Sequence, residues 1–184
     1  RRPPCNTLTR MADTLKLLVG LDLGGTSTKL VVQRPTGERL VQAATAPYSQ
    51  PGASELAEAI ADLFTGLYQL DSVPLKIVAV GCCVPGKFAA DRETVDFAAN
   101  LPAVNGLHIP SFVRALFAEP PANIRILPDA MATALGSWSA DPVPGRMLAI
   151  ALGTGVGASL LVEGNPITLA PGTAGHLGQM DVSL

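Results

Sequence analysis

The sequence predicts an α/β protein, one lobe of order β-β-β-α-β-α-β-α followed by the opening of a second, similar lobe. Short apolar runs rich in β-branched residues alternate with segments whose apolar residues recur at helical spacing. A strand, a glycine turn containing threonine and a second strand occur twice, in LLVGLDLGGTSTKLVV (17–32) and MLAIALGTGVGASLLV (147–162). Between the two, Pro142, Pro144 and Gly145 punctuate the chain as a domain boundary would.

The elements follow in order. Residues 16–23 (KLLVGLDL) and 28–33 (TKLVVQ) are strands, RPTG at 34–37 is a turn, and 38–45 is a third strand. This is a three-stranded antiparallel start. After a loop at 46–52, Ser54 is the expected N-cap of a helix carrying Leu56, Ile60, Leu63, Leu67 and Leu70 on one face. Residues 76–84 (KIVAVGCCV) form a continuous apolar run of the buried-strand type, with Cys82 and Cys83 packing as small hydrophobes. Residues 87–110 show no clear periodicity, and an irregular stretch of that length in a compact protein is often functional. Residues 111–118 read as a short helix, 123–127 as a strand and 129–138 as a helix whose Trp138 belongs to core or interface. Strands at 147–152 and 158–162 then flank GTGVG.

Composition narrows the function classes. The 184 residues hold 13 Lys+Arg against 15 Asp+Glu, a net charge of −2, which supplies no basic footprint for nucleic acid or an anionic membrane. With 48% hydrophobic and 15% charged residues and a mean hydropathy of +0.34, the chain has ample material for a core. No apolar run reaches the roughly 18 to 20 residues of a membrane-spanning helix. Three cysteines, Cys5 and the neighbours Cys82 and Cys83, suit a reducing, cytoplasmic setting. Residues 1–15 are expected to be a disordered extension, with Met11 a candidate start.

The glycine turns admit two readings. Glycine supplies positive φ to a tight hairpin, and bare backbone also lets N–H groups approach a phosphate, with Thr26 or Thr154 adding a hydroxyl. Asp22 ends a buried apolar strand, where a carboxylate needs a partner. Mg²⁺ or a metal-bound water is one such partner; a salt bridge to Lys29 is the other. Asp129, between a strand and a helix, is an N-cap or a catalytic base. The turns are not P-loops, because no GKS or GKT follows, and GTGVG is followed by a strand rather than the helix of a dinucleotide fingerprint.

LDLGGTSTK (21–29) resembles the first phosphate motif of the ROK family of sugar kinases and repressors, of the actin-like ATPase superfamily with its two ribonuclease-H-like lobes. The resemblance continues in GCCVPG (81–86), ANLPAVNG (99–106), PDAMATALG (128–136), LGTGVG (152–157) and AGHLGQM (174–180). These six motifs stand in the family's order. The resemblance implies ATP-dependent phosphorylation of a hexose or N-acetylhexosamine hydroxyl, with ATP and Mg²⁺ as cofactors. Asp22 would hold Mg²⁺, directly or through water. Gly24, Gly25, Thr26 and Lys29 would lie at the phosphates, as would Gly153, Thr154, Gly155 and Gly157 of the second hairpin. Asp129 would be the general base, and Gly86, Asn100, Asn105 and His176 would contact the sugar.

Departures from the family pattern are also legible. Proline stands at 128 where the family usually has asparagine beside the base. His176 and Gln179 stand where the family reads Glu and His, and glutamine is a poor zinc ligand, so no zinc is expected. Asn100 and Asn105 equally suit turns, and His108 a solvated loop. A non-catalytic sugar-binding ROK protein is the alternative. A regulator of the usual arrangement, with a helix-turn-helix before the first phosphate motif, does not fit the short segment ahead of residue 17. Family members run to about twice a lobe, often as homodimers. Residues 16–140 are therefore expected to be a first lobe and 146–184 the start of a second, in a piece inactive by itself.

Overall fold

The computed structural model describes residues 14–65, 74–152 and 156–167. Its centre is a five-stranded sheet of order β3-β2-β1-β4-β7, made from Leu15–Leu23 (β1), Thr28–Gln33 (β2), Arg39–Ala44 (β3), Leu75–Val84 (β4) and Asn123–Pro128 (β7). β1, β2 and β3 pair antiparallel as expected, while β4 pairs parallel with both β1 and β7. The carboxyl ends of β1, β4 and β7 therefore emerge at one edge, where ligands commonly bind in open α/β sheets.

Alternation sets the two faces of this sheet. On β1, Leu17, Val19, Leu21 and Leu23 are buried, which turns Asp22 to the opposite face. The buried face packs with Leu30, Val32, Val80, Cys82 and Val84 into one core. That core is closed by Ala53–Thr65 (α1), which buries Leu56, Ile60 and Phe64 at i, i+4, i+8 spacing. The helix begins one residue before the expected N-cap Ser54. Gly52 serves instead: its carbonyl accepts from Leu56 N–H, and the Glu55 carboxylate accepts from Gly52 N–H, in the manner of a capping box. Leu67 and Leu70 lie outside the described residues.

The stretch 87–110 is more ordered than its lack of periodicity suggests. It contains a hairpin of Lys87–Phe88 (β5) and Val95–Phe97 (β6), then a 3-10 turn at Pro102–Val104. The Asp91 carboxylate organises the hairpin turn by accepting from Glu93 N–H, Thr94 N–H and the Thr94 hydroxyl. Val95, Ala98, Leu101, Val104 and Ile109 are buried in the core. Their irregular spacing reflects tertiary packing, which no local period encodes.

The next helix, Ile109–Ala115 (α2), starts two residues earlier than expected, because Pro110 is tolerated in a first turn. His108, expected as a solvated loop residue, is its N-cap: Nδ1 accepts from Ser111 N–H, and Nε2 pairs with Glu93. Asp129–Ala140 (α3) follows β7 without a break and packs on a second sheet. That sheet has the order β10-β9-β8, from Arg146–Leu152 (β8), Val156–Val162 (β9) and Asn165–Pro166 (β10). Trp138 is an interface residue, as expected. Its indole N–H donates to the Val143 carbonyl, and its ring covers Gly164, where a Cβ would stand 2.6 Å from it. Leu148, Ile150 and Leu152 on β8 are each more than half exposed. No described helix is long and apolar enough to cross a membrane.

Candidate active site

Register assembles the site. Asp22 on β1 lies opposite Cys83 on β4, and Cys83 lies opposite Leu127 on β7, two residues before Asp129 at the start of α3. The carboxylates of Asp22 and Asp129 and the Cys83 thiol consequently converge, with one ligand atom from each within 4.8 Å of the others. Asp22 is engaged on both oxygens. Cys83 donates its thiol to Oδ1 at 3.2 Å, and Lys29, paired with Asp22 across β1 and β2, places Nζ 3.2 Å from Oδ2. Of the two sequence readings of Asp22, the ion pair with Lys29 is present, and a second carboxylate stands beside it.

Electrostatics separate the two acids. Burial by the surrounding walls pushes the Asp129 carboxyl up to about 6, the charge of Asp22 adds to the rise, and Lys29 opposes it. The group nevertheless keeps an exposed surface, so the cause is protein on several sides rather than enclosure. A carboxylate of this kind, ionised just below neutral pH and open to a ligand, is suited to accept a proton. Two carboxylates at one point also suit a hard divalent cation with oxygen ligands, so Asp22 and Asp129 fit Mg²⁺, whereas a neutral thiol does not ligate it.

The glycine turn stands beside these acids. Gly24 N–H donates to the Ser27 carbonyl at 3.2 Å, closing the turn between β1 and β2. A Cβ on Gly25 would stand 2.5 Å from the Asn100 carbonyl oxygen, so only glycine lets the 99–101 segment pack against the turn. The structure therefore brings Asn100, a candidate sugar contact, to the candidate phosphate turn. Gly86 adopts φ +108, with Ala98 against it, and Asn105 Oδ1 accepts from Ala98 N–H at 2.7 Å. The Asn105 carbonyl group thus serves the loop that supports Gly86. A hollow of about 720 Å³ runs along the open face of the sheet, with Asp22, Lys29, Gln42, Gly81 and Cys83 in its lining. Asp22 thus lines the hollow, whereas Asp129 and the glycine turn do not.

The ROK family model matches residues 18–183. The chain belongs to the ROK family. It is 31% identical over 169 residues to an N-acetyl-D-glucosamine kinase of Erwinia tasmaniensis, a match covering 89% of this chain and 52% of that relative. Among solved structures, it resembles a ROK family glucokinase from Streptomyces griseus in complex with glucose and AMPPNP, at 25% identity and a TM-score of 0.72. That match covers 91% of this chain and 51% of the other. It also resembles an inorganic polyphosphate/ATP-glucomannokinase from Arthrobacter sp. strain KM, at 26% identity and a TM-score of 0.70, over 91% and 64% of the two chains. The chain spans about half the length of the curated relatives it matches, and its α/β lobe has the actin-like ATPase fold of the ROK kinases.

Of the ROK motif residues, the structure gathers Asp22, Gly24, Gly25, Thr26, Lys29, Asn100 and Asp129 around the carboxyl edge of the sheet. Gly157 lies on β9, while Gly153, Thr154, Gly155, His176 and Gln179 lie outside the described residues. Two participants escape a reading by composition. Cys83, expected in the core with Cys82, is half-buried and faces Asp22. Neighbours on one strand point to opposite faces, so only one of the pair can enter the core. Tyr48, in the loop after β3, reaches the glycine turn with its hydroxyl.

Burial, followed by the negative charge of Asp22, pushes the Cys83 thiol well above its ordinary range. Cys83 is therefore held as a neutral donor and is a poor nucleophile. Iodoacetamide at pH 8 is expected to label Cys83 in the folded chain at least about tenfold more slowly than after denaturation. Peptide mapping by mass spectrometry checks this, and equal rates would contradict it.

Proposed function

We propose that this protein transfers the γ-phosphoryl group of ATP to a hydroxyl of a hexose or N-acetylhexosamine. The observation that carries the reading is the convergence of Asp22 and Asp129 beside the glycine turn, at the carboxyl ends of three neighbouring strands. Its relatives include an N-acetyl-D-glucosamine kinase, and a structural neighbour is a glucokinase in complex with glucose and AMPPNP. Residues 16–140 are the first lobe of the proposed kinase, and 146–184 open the second.

Phosphoryl transfer asks chiefly for positioning and charge neutralisation. Asp129 Oδ accepts the proton of the attacking sugar hydroxyl as the new O–P bond forms and the bond from the γ-phosphorus to the β,γ-bridging oxygen breaks, releasing ADP. Asp22 is the residue that would hold Mg²⁺, which supplies neutralisation of phosphate charge when bound. In the turn of Gly24, Gly25 and Thr26, the Gly24 N–H closes the turn on the Ser27 carbonyl and leaves the Gly25 N–H and the Thr26 hydroxyl as donors to phosphate oxygens. Gly153, Thr154, Gly155 and Gly157 of the second glycine motif are assigned further phosphate contacts. Lys29 pairs with Asp22 and directs its carboxylate. Gly86 and Asn100 serve the sugar, and His176 is assigned the same role by its motif.

The test is a coupled assay of ADP release by the complete gene product over a panel of hexoses and amino sugars. Release that depends on one of these sugars is expected. Saturable sugar binding without any ADP release would overturn the kinase reading in favour of a non-catalytic sugar-binding protein.

A further inference from the structure

The geometry points to Tyr48 as the positioning residue that orients the backbone amides of the glycine turn toward phosphate. The inference rests on the reading of Gly24–Thr26 as a phosphate turn, but its structural half stands on contacts within the chain. Tyr48 holds two carbonyls of that turn. Its hydroxyl donates to the Gly24 carbonyl at 2.7 Å, and its backbone N–H donates to the Thr26 carbonyl at 2.8 Å. The phenol oxygen in turn accepts from the hydroxyl of Thr28, the buried polar residue at the start of β2, at 3.0 Å.

Peptide planarity converts these two contacts into a statement about donors. In a trans peptide the carbonyl of one residue and the N–H of the next point in opposite directions, and no cis peptide bond is found among the described residues. Fixing the Gly24 carbonyl on Tyr48 therefore turns the Gly25 N–H away from Tyr48. Fixing the Thr26 carbonyl does the same to the Ser27 N–H. Among the described residues, neither of these N–H groups donates to a protein acceptor. Two amides set in advance and left open make an anion-binding concavity, and one residue sets both, Gly25 N–H through its hydroxyl and Ser27 N–H through its backbone N–H. Phosphate donors prepared in this way do not reorganise on binding.

The test compares Tyr48→Phe with wild type and with Thr45→Val in the complete gene product. Phenylalanine keeps the ring and deletes only the hydroxyl. Thr45→Val removes an acceptor from Thr28 N–H in the same segment without touching a turn carbonyl. In Tyr48→Phe, the ¹⁵N order parameter of Gly25 is expected to fall from near 0.85, roughly the rigid value, to below about 0.6, while that of Ser27, whose peptide stays held by the backbone N–H of residue 48, changes less. Affinity for Mg²⁺-ATP and for tripolyphosphate should fall about fivefold, the worth of one hydrogen bond, with sugar affinity unchanged. Thr45→Val should lower the thermal midpoint and leave both affinities as they are. Order parameters equal to wild type in Tyr48→Phe would overturn the inference, as would a joint loss of sugar and nucleotide affinity. Wild type that binds neither ATP nor tripolyphosphate would instead sink the phosphate-turn reading, while the order parameters still decide whether Tyr48 holds the turn.

Discussion

Asp129→Asn is expected to lower sugar-dependent ADP release by a factor of about 10² to 10⁴, the usual worth of a positioned general base. Asparagine keeps the shape and the start of α3, so sugar and nucleotide affinities should change little. Loss of turnover with retained binding is thus the expected signature. In the wild type, kcat/KM should rise with pH through about 6, where Asp129 ionises. The same substitution should move stability in the opposite direction. The folded chain holds the Asp129 proton up to about pH 6, whereas an ordinary aspartate releases it near 3.8. Between those values the folded state binds more protons than the unfolded one, so stability falls as pH rises, and it stays lowered above 6. Asparagine has no proton to lose. The variant should melt above wild type at pH 7.5, and the difference should vanish below pH 3.8. Equal melting at both pH values would remove the electrostatic account of Asp129, and unchanged turnover would remove its role as base.

Gly86→Ala is expected to be the most damaging single-methyl change in the first lobe. Gly86 sits at φ +108, a conformation L side chains rarely adopt, and an added Cβ would meet the Phe97 carbonyl oxygen and stand 2.9 Å from both Cα and Cβ of Ala98. Backbone strain and overpacking each cost of order 1–3 kcal/mol, so a loss of about 3 kcal/mol is expected in chemical denaturation. Relief would require the 97–98 backbone to withdraw, and the Asn105 carboxamide holds it through Ala98 N–H. Sugar affinity should fall with stability, since the same segment leads to Asn100 and the glycine turn. Gly81→Ala provides the contrast: a Cβ there meets nothing within 4 Å, and its effect should be under about 1 kcal/mol. Equal losses in the two variants would contradict this reading of Gly86.

Most of the longer strands and their succession along the chain were legible from apolar runs and glycine turns, because a strand of six to ten residues spans several alternations. The β5–β6 hairpin was not. Strands of two and three residues carry no measurable period, and what holds them is the Asp91 turn and burial of Val95 against distant residues. Helix starts were legible to within one or two positions. Ser54 and His108 show why they slip at all: a cap is chosen by which carbonyl and side chain meet the first free N–H groups, and glycine or histidine fill that role here.

The candidate site divides in the same way. Asp22 and the glycine turn were visible in the chain, since a carboxylate ending an apolar strand and a glycine pair between strands are unusual locally, whereas Asp129 read as a helix cap until its motif, PDAMATALG, singled it out. Their chemistry is carried by residue type and by immediate neighbours. That the two acids share one point, that the Cys83 thiol rather than Cys82 joins them, and that Tyr48 governs the turn were decided by the tertiary structure. Strand register is the physical reason: β1 against β4 and β4 against β7 pair residues about 60 and 45 positions apart, and a slip of one residue would turn every one of these side chains to the opposite face.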